Sequence, residues 1–229
     1  MSVTLTENSI IYSDGTAQNT SFRAGKDTGR LLNVQTFTSS GTWTKPTGAT
    51  KAVVKLVGGG GGGAGYCESG AAGGYCEGVL DVTSLTSVSV TIGSGGGGVN
   101  YYAGGGSGGT TSFGSYFTAS GGGGANTYYQ HSGGHGGIGS GGAVNILGGA
   151  GTGHTNSVGH FPGGKGGGSY FGSGSIFIRN HSNLSSSYMG KPYNGAAGAG
   201  GPGGLANGTQ GSNTGYNGEN GVVIVYSYQ

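Results

Sequence analysis

The chain is organised around the stretch Lys51-Ala-Val-Val-Lys-Leu-Val-Gly-Gly-Gly-Gly-Gly-Gly63, in which an apolar run leads directly into six consecutive glycines. Shorter glycine runs recur downstream, among them 95–98, 104–106, 121–124, 133–134, 136–137, 166–168 and 200–201. Glycine loses more backbone entropy on folding than any other residue, so a run of six is costly to order. Either these runs are disordered, or a structure that only glycine permits compensates for the cost.

Collagen provides the precedent for such a structure, because its extended chains, with three residues per turn, pack so closely that only glycine fits at the axis. Polyglycine can adopt the same helix with glycine at every position. Neighbours can then surround each helix on several sides, with N–H groups bonded to neighbouring carbonyls and Cα–H···O contacts adding a smaller term. We therefore predict that the glycine runs form the core of the protein and are not linkers.

The spacing of the glycines supports this prediction. Two stretches, 131–142 and 161–168, carry GGxGGx phasing. With three residues per turn, the x positions fall on one edge, so the side chains of His135, Ile138 and Lys165 should point outward. The phasing is short and broken, and the chain has only 4 Pro. Collagen itself is therefore excluded, because it requires a strict G-X-Y period and abundant Pro.

Composition bounds the classes of function. The high Gly content is typical of low-complexity chains, but only 7% of residues are charged and there are 14 Tyr and 7 Phe, which argues against ordinary disorder. A net charge of +2 without a basic run gives no support for nucleic acid as a partner. No apolar stretch reaches the ~20 residues that span a bilayer, and no secretion signal is visible, so neither membrane insertion nor secretion is expected.

Apolar and alternating stretches that flank the glycine runs predict strands at Leu31–Phe37, Ala52–Val57, Gly78–Val82, Ser87–Ile92 and Gly221–Tyr226. The run Ala52–Val57 predicts a strand buried on both faces. No stretch predicts a helix of the α type. The predicted fold class of residues 31–229 is therefore all-β, a small β-sandwich that frames a stack of polyglycine-II helices with protruding loops.

Residues 1–30 form a separate N-terminal segment and linker in this interpretation. Val3–Thr6 alternates as a strand does, and Ser13–Thr16 contains an Asp-Gly turn. The segment has too few apolar residues for a core of its own. We expect a short β element of a fibre that associates with partner chains, in a homotrimer.

The sequence predicts no cofactor from its cysteines, its histidines or a partial match to a phosphate loop. Cys67 and Cys76 lie in a repeated Tyr-Cys-Glu, which suggests equivalent edges of adjacent segments; two free thiols are expected, with a disulfide as the alternative. Two Cys cannot complete a structural zinc site, and the five His are interpreted as polar loop or edge positions. Gly159–Lys165 matches the start of a phosphate loop, but Gly166 follows where Ser or Thr should hold magnesium. We predict no cofactor and no metal.

Catalytic residues are also not predicted. The chain has seven Asp and Glu residues, and none lies in a loop beside a His. The remaining alternative is a glycosidase pair formed by Glu68 and Glu77, which would make the protein a polysaccharide depolymerase. The shortage of carboxylates argues for a protein that is not an enzyme.

Aromatic residues in the inserts between glycine runs are the candidate recognition surface. These inserts are rich in Tyr, Asn and Ser, the composition of binding loops, and aromatic faces stack on the apolar side of sugar rings. The alternative is that the aromatic residues shield the glycine core or pack between chains. The candidate receptor-binding residues are Tyr101, Tyr102, Tyr128, Tyr129, His131, His160, Phe161, Tyr170, Phe171 and Tyr188.

Several motifs resemble one family. Phe37-Thr-Ser-Ser-Gly-Thr-Trp-Thr-Lys-Pro46, followed by Lys51–Val57 running into polyglycine, is similar to the glycine-rich C-terminal domain of bacteriophage tail-fibre proteins. Val90–Gly96, Thr110–Gly114 and Gly221–Val225 fit the same pattern, and Tyr12–Gln18 resembles an element common in phage fibre chains.

The resemblance implies a virion protein at the tip of a tail fibre, assembled in the host cytoplasm. It is similar in logic to T-even-type tail-tip adhesins, in which stacked polyglycine helices support variable loops that touch the host surface. It further implies a host surface glycan or outer-membrane protein as receptor, and contact with other tail proteins through the N-terminal segment. A purely structural fibre cap is the alternative function.

Overall fold

The computed structural model of the chain describes residues 3–5, 10–13, 17–18, 29–65, 68–100, 103–126, 132–153, 164–175, 195–204 and 214–229. Across these ranges the protein is all-β, as predicted, with no helix of the α type. It follows that these ranges contain no helix long and apolar enough to cross a membrane. Near the N-terminus, strands β1 (Val3–Leu5), β2 (Ile10–Tyr12) and β3 (Ala17–Gln18) form an antiparallel sheet.

Two five-stranded antiparallel sheets form a sandwich. Sheet I has the strand order β12 (Val144–Ile146), β7 (Tyr75–Asp81), β6 (Lys51–Val57), β13 (Val222–Tyr228) and β4 (Leu31–Phe37). Sheet II has the order β11 (Gly139–Ser140), β10 (Phe117–Ala119), β9 (Thr111–Phe113), β8 (Ser87–Thr91) and β5 (Gly41–Thr44). The C-terminal strand β13 therefore lies inside sheet I, paired with β6 and β4.

The hydrophobic core lies between the two sheets. Trp43 on β5 is fully buried and contacts Phe113 edge-to-face, with ring centroids 5.7 Å apart. Leu56 and Val223, paired across β6 and β13, face them from sheet I. This core is small for a chain of 229 residues, so a second source of stability is required.

The predicted strands at Leu31–Phe37 and Ser87–Ile92 are confirmed by β4 and β8, and the strands predicted at Gly78–Val82 and Gly221–Tyr226 correspond to β7 and β13. One burial prediction is wrong. Along β6 the inward side chains are fully buried, whereas Val53 and Lys55 on the other face are only half-buried. An antiparallel sheet can leave one face uncovered, and sheet I does so here.

Ten extended glycine-rich segments pack beside the sandwich, and eight of them continue directly from the ends of strands. Outgoing segments follow β6, β8, β10 and β12, and returning segments lead into β7, β9, β11 and β13. They form five antiparallel pairs: 58–63 with 68–74, 93–98 with 104–109, 120–126 with 132–138, 148–153 with 164–168, and 199–204 with 214–221. The glycine segments are thus the long connections of the sandwich.

The N–H groups of the central segment 58–63 bond with a period of three. Consecutive N–H groups point to three different neighbours, and every third one returns to the same neighbour, with N···O distances of 2.8–3.0 Å. Gly58 and Gly61 donate to the carbonyls of Gly74 and Ala71. Gly59 and Gly62 donate to Gly109 and Gly106, and Gly60 and Gly63 donate to Glu219 and Tyr216. A period of three is the signature of the polyglycine-II helix.

The carbonyl groups of the same segment accept from three further segments, again with a period of three. Gly59 and Gly62 accept from segment 120–126, Gly60 and Gly63 from residues 96–99, and Gly61 from Gly201. Segment 58–63 is therefore enclosed by six neighbours. Segment 68–74 is enclosed in the same way, since its N–H groups bond at intervals of three to residues 149–152, 198–201 and 120–123. The predicted stack of polyglycine-II helices is confirmed.

Close approach of backbones explains why these positions are glycine. A Cβ added to Gly58 or Gly61 would overlap the carbonyl of Ser120 or Gly123 in a parallel neighbour. The side chains of His135, Ile138 and Lys165 lie at exposed edge positions, as the GGxGGx phasing predicts, while Gly134 and Gly137, directly before His135 and Ile138, are buried.

We expect Gly61→Ala to destabilise the protein by about 3 kcal/mol or more, because the new methyl group must displace rigid backbone. Gly97→Ala is the matched control: it lies in a neighbouring segment with nothing within 4 Å of an added Cβ. At such a position the control should be neutral or gain about 0.5 kcal/mol through the unfolded state. Chemical denaturation of both variants measures the difference, and equal unfolding free energies would contradict the close-packed array.

Candidate binding face

The far ends of the five segment pairs lie together on one face, opposite the sandwich. Gly204 donates to the carbonyl of Ala64 at 2.9 Å, and Val99 accepts from Gly65 at 3.0 Å and from Gly215 at 2.9 Å. We call this the distal face; its residues are Ala64, Gly65, Val99, Asn100, Asn126, Ser132, Thr152, Lys165, Gly204 and Thr214. The connections 66–67, 101–102, 127–131, 154–163 and 205–213 begin and end here and are outside the described residues.

Polar side chains join neighbouring chain segments on the distal face. The Thr214 hydroxyl donates to Asn100 Oδ1 at 2.6 Å and ties two different segment pairs together. Asn126 Nδ2 donates to Ser132 Oγ at 2.5 Å across the two ends of connection 127–131. These bonds hold the ends of the connections in defined positions.

Ser69 makes the most buried of these ties. Its hydroxyl, fully buried, donates to the carbonyl of Lys165 at 2.6 Å and accepts from the N–H of Thr152 at 2.7 Å. Thr152 and Lys165 flank connection 154–163, so one serine holds both of its ends.

Asparagine side chains complete the hydrogen bonding along the edge of the array. Asn217 Oδ1 accepts from Gly98 and Asn220 Oδ1 accepts from Gly95, both at 2.8 Å. The two asparagines are three residues apart, which matches the helix period and places both on one edge. This spacing is a sequence signal that could have identified them in advance.

A groove of about 470 Å³ runs along residues 214–220 from the distal face. Its side chains are mainly polar and include Ser175, Thr214, Tyr216, Asn217 and Glu219. Burial raises the pKa of Glu219, against the opposing effect of a hydrogen bond from the Gly195 backbone. The groove offers hydroxyl, amide and carboxyl groups beside one tyrosine ring.

Glu68 is fully buried just beneath the distal face, at the start of segment 68–74. Its backbone carbonyl accepts from Ala64 at 2.9 Å. Burial raises the pKa of its carboxyl from 4.5 to about 7. The carboxyl therefore exchanges a proton near neutral pH inside a densely packed region.

The structure separates Glu68 from Glu77, the pair that sequence analysis considered for a depolymerase. They lie at opposite ends of segment 68–74, on the order of 25 Å apart by the rise of an extended chain. Glu77 accepts from the Tyr75 hydroxyl at 2.5 Å and lies 3.6 Å from Lys55 Nζ. The two Tyr-Cys-Glu copies are likewise not equivalent edges, because one precedes a glycine helix and the other begins β7.

Cys76 is a buried free thiol whose Sγ donates to the carbonyl of Ser140 at 3.2 Å, and burial raises its pKa. Its predicted free state is confirmed, while Cys67 lies outside the described residues. Within the described ranges, no three side chains of His, Cys, Asp and Glu lie close enough together to hold a metal ion.

Of the ten candidate receptor-binding residues, the structure describes Tyr170 and Phe171. Tyr170 stacks on Tyr75 with ring centroids 3.6 Å apart and is 50% exposed, and Phe171 meets Tyr75 edge-to-face at 5.9 Å. Tyr75 begins β7, so this cluster lies at the sandwich end of the array and not on the distal face. The other candidates, Tyr101, Tyr102, Tyr128, Tyr129, His131, His160, Phe161 and Tyr188, lie outside the described residues.

A family model of a glycine-rich domain matches residues 35–228, which include the whole array and both sheets of the sandwich apart from the first four residues of β4. The chain belongs to this glycine-rich domain family. The match leaves the N-terminal sheet outside the family domain. No curated protein sequence matches the chain.

The Glu68 pKa makes stability depend on pH. The folded state binds the proton of the Glu68 carboxyl more tightly than the unfolded state does. The stability gained from this protonation is therefore complete below pH 4.5 and is lost as the pH rises through about 7. We expect the unfolding free energy to fall by on the order of 3 kcal/mol across this window, and Glu68→Gln to remove that fall. Urea titrations at several pH values measure it; parallel pH profiles for both proteins would disprove the assignment.

Ser69→Ala should lower the unfolding free energy by about 2 kcal/mol, because the Thr152 N–H and the Lys165 carbonyl each lose their shortest hydrogen bond. Thr152→Ala is the control from the same network, since it removes only the longer 3.2 Å bonds of its hydroxyl. Its cost should stay below about 1 kcal/mol. Thermal unfolding distinguishes the variants, and a larger loss in Thr152→Ala than in Ser69→Ala would refute the role given to Ser69.

Proposed function

We propose that this protein is a bacteriophage receptor-binding tail-fibre protein that recognises the host cell surface through the connections of the distal face. The receptor is a host surface glycan or an outer-membrane protein. The protein is located in the virion, at the tail fibre, after assembly in the host cytoplasm. It is not an enzyme in this proposal and uses no cofactor.

One observation carries the proposal: all five glycine helix pairs end on one face, while their hydrogen bonds fix where each connection begins and ends. Binding loops lose less conformational entropy on binding when their ends are held in advance. An array without side chains in its interior can thus carry several exchangeable loops without altering its own packing.

The sequences of the connections fit this role. Connections 101–102, 127–131 and 154–163 carry most of the aromatic candidates, namely Tyr101, Tyr102, Tyr128, Tyr129, His131, His160 and Phe161. Tyrosine supplies rigid contact area with few rotatable bonds, and its ring suits the apolar face of a sugar. The motif that runs from β5 through β6 into the first glycine helix adds the resemblance to tail-fibre domains.

The proposed assembly is a homotrimer that contacts other tail proteins through residues 1–30. Nucleic acid and membrane insertion have no part in it. The family match begins at residue 35, so the N-terminal segment proposed for attachment lies outside the family domain.

A purely structural fibre cap is the second candidate. It is favoured by Tyr170 and Phe171, which pack on Tyr75 at the sandwich end and serve the stability of the junction. A depolymerase is less favoured, because the carboxylates of Glu68 and Glu77 are held far apart by the helix between them.

Binding of fluorescently labelled full-length protein to a panel of bacterial strains tests the proposal. We expect binding to some strains, and loss of at least about 90% of it when Tyr128 and Tyr129 are both replaced by Ser, since aromatic anchors carry most of an interface's energy. Tyr170→Ser is the control and should retain binding. Treating the cells with periodate or protease then separates a glycan receptor from a protein receptor.

Binding that survives replacement of all the aromatic residues in connections 101–102, 127–131 and 154–163 would reject the receptor-binding proposal. Absence of binding to every strain that a phage carrying this protein infects would favour the structural cap. Release of oligosaccharide from the cells would favour the depolymerase.

A further inference from the structure

The outward faces of the two sheets differ in chemistry. The outward side chains of sheet II are all hydroxyls: Thr42, Thr44, Ser87, Ser89, Thr91, Ser112, Thr118 and Ser140. This face is suited to water. Sheet I instead presents valine, isoleucine, leucine and tyrosine on its outer face, although both sheets belong to the same sandwich.

An apolar row crosses the outer face of sheet I on four adjacent strands. It consists of Val79, Val53, Tyr226 and Val34, each of which pairs directly with the next one on the adjacent strand. Val79 is 63% exposed and Val34 is 48% exposed. Val144, Ile224 and Leu31 extend the apolar surface above and below the row.

The exposed part of this face is a continuous patch of a few hundred Å². Four of its strands lie about 4.8 Å apart, and because Val57, Tyr75 and Val222 at the array end are buried, about five residues of each remain exposed, which gives a projection of about 19 Å by 17 Å. The edge strand β12 and side-chain relief add to this area. Apolar patches of this size commonly mark interaction sites on monomeric proteins, so the face suits a small specific contact.

Charges on the same face are arranged in two columns. Lys51 and Lys55 lie on β6, and their direct partners Asp81 and Glu77 lie on β7. A rotation axis that runs parallel to the strands, above the boundary between β6 and β7, brings the lysine column of one copy to the acidic column of the next. The same rotation brings Val53 of one copy to Val79 of the next, and Tyr226 of one copy to the edge strand β12 of the next, in a pair or in a trimer.

We propose that the outer face of sheet I is the surface through which copies of this chain associate. The partner is a second copy, because the face is complementary to itself in both charge and apolar surface. Lysines meet carboxylates at the centre of the contact, where Lys55 also lies 5.9 Å from the ring of Tyr226. The inference supplies an interface for the proposed homotrimer and does not depend on which receptor the distal face binds.

Sedimentation velocity of the full chain over a range of concentrations tests this interface. We expect wild-type protein to be oligomeric, and Val79→Lys and Val53→Lys each to raise the dissociation constant at least about tenfold, since each buries a lysine opposite an apolar side chain. Ser89→Lys and Thr42→Lys, direct partners on the outer face of sheet II, are the controls and should leave association unchanged. Thermal unfolding checks that each variant is folded.

A charge-reversal pair provides an independent test. Lys51→Glu with Lys55→Glu gives an all-acidic face, and Glu77→Lys with Asp81→Lys gives an all-lysine face. Each doubly substituted chain should be monomeric alone, and a mixture of the two should associate.

A monomeric wild type, equal weakening by the sheet II controls, or self-association of both charge-reversed chains would overturn the inference. Loss of cell binding with the oligomer intact would count against the distal face alone, so the two proposals fail separately.

Discussion

Hydrogen bonds between backbones that carry no side chains are the interaction on which this structure depends. In the central segment 58–63, N–H groups bond in three directions and carbonyls in three more, so that six neighbours are held by one helix. The entropy lost in ordering glycine is offset by this density of bonds, by Cα–H···O contacts and by exclusion of water from the backbone. A Cβ in the interior would separate the helices and remove the bonds on that side.

The sandwich and the array stabilise each other. The small core around Trp43 and Leu56 sets the spacing and direction of the strands, and eight of the ten glycine helices inherit their positions from the strand that precedes or follows them. The array in turn orders the long connections between strands. Short strands such as β9 and β10 are thereby kept in their sheet. The turn at 169–172, with Tyr170 stacked on Tyr75, covers the junction between the sandwich and the glycine array.

This arrangement separates functions by position. The distal face gathers the ends of the connections and their aromatic sequences, the buried Glu68 beneath it links stability to pH, and the outer face of sheet I supplies an apolar surface at the opposite end. A scaffold stabilised by backbone alone tolerates changes in its connections, because no core side chain has to adapt to them. That property suits a protein whose recognition surface must vary while its fold remains.

The amino-acid sequence determined the all-β class, the strands β4 and β8, the polyglycine-II helices and the outward positions of His135, Ile138 and Lys165, because a period of two or three residues is a local property of the chain. Only the tertiary structure decided which helices are neighbours, that Glu68 and Glu77 lie at opposite ends of one helix, that Tyr170 packs at the sandwich, and that one face of sheet I is uncovered. Strands of two or three residues such as β11 and β12 were missed since their pairing, and not their composition, forms them. Glycine runs are identical to one another locally, so the strands to which most of them are attached decide which runs become neighbours.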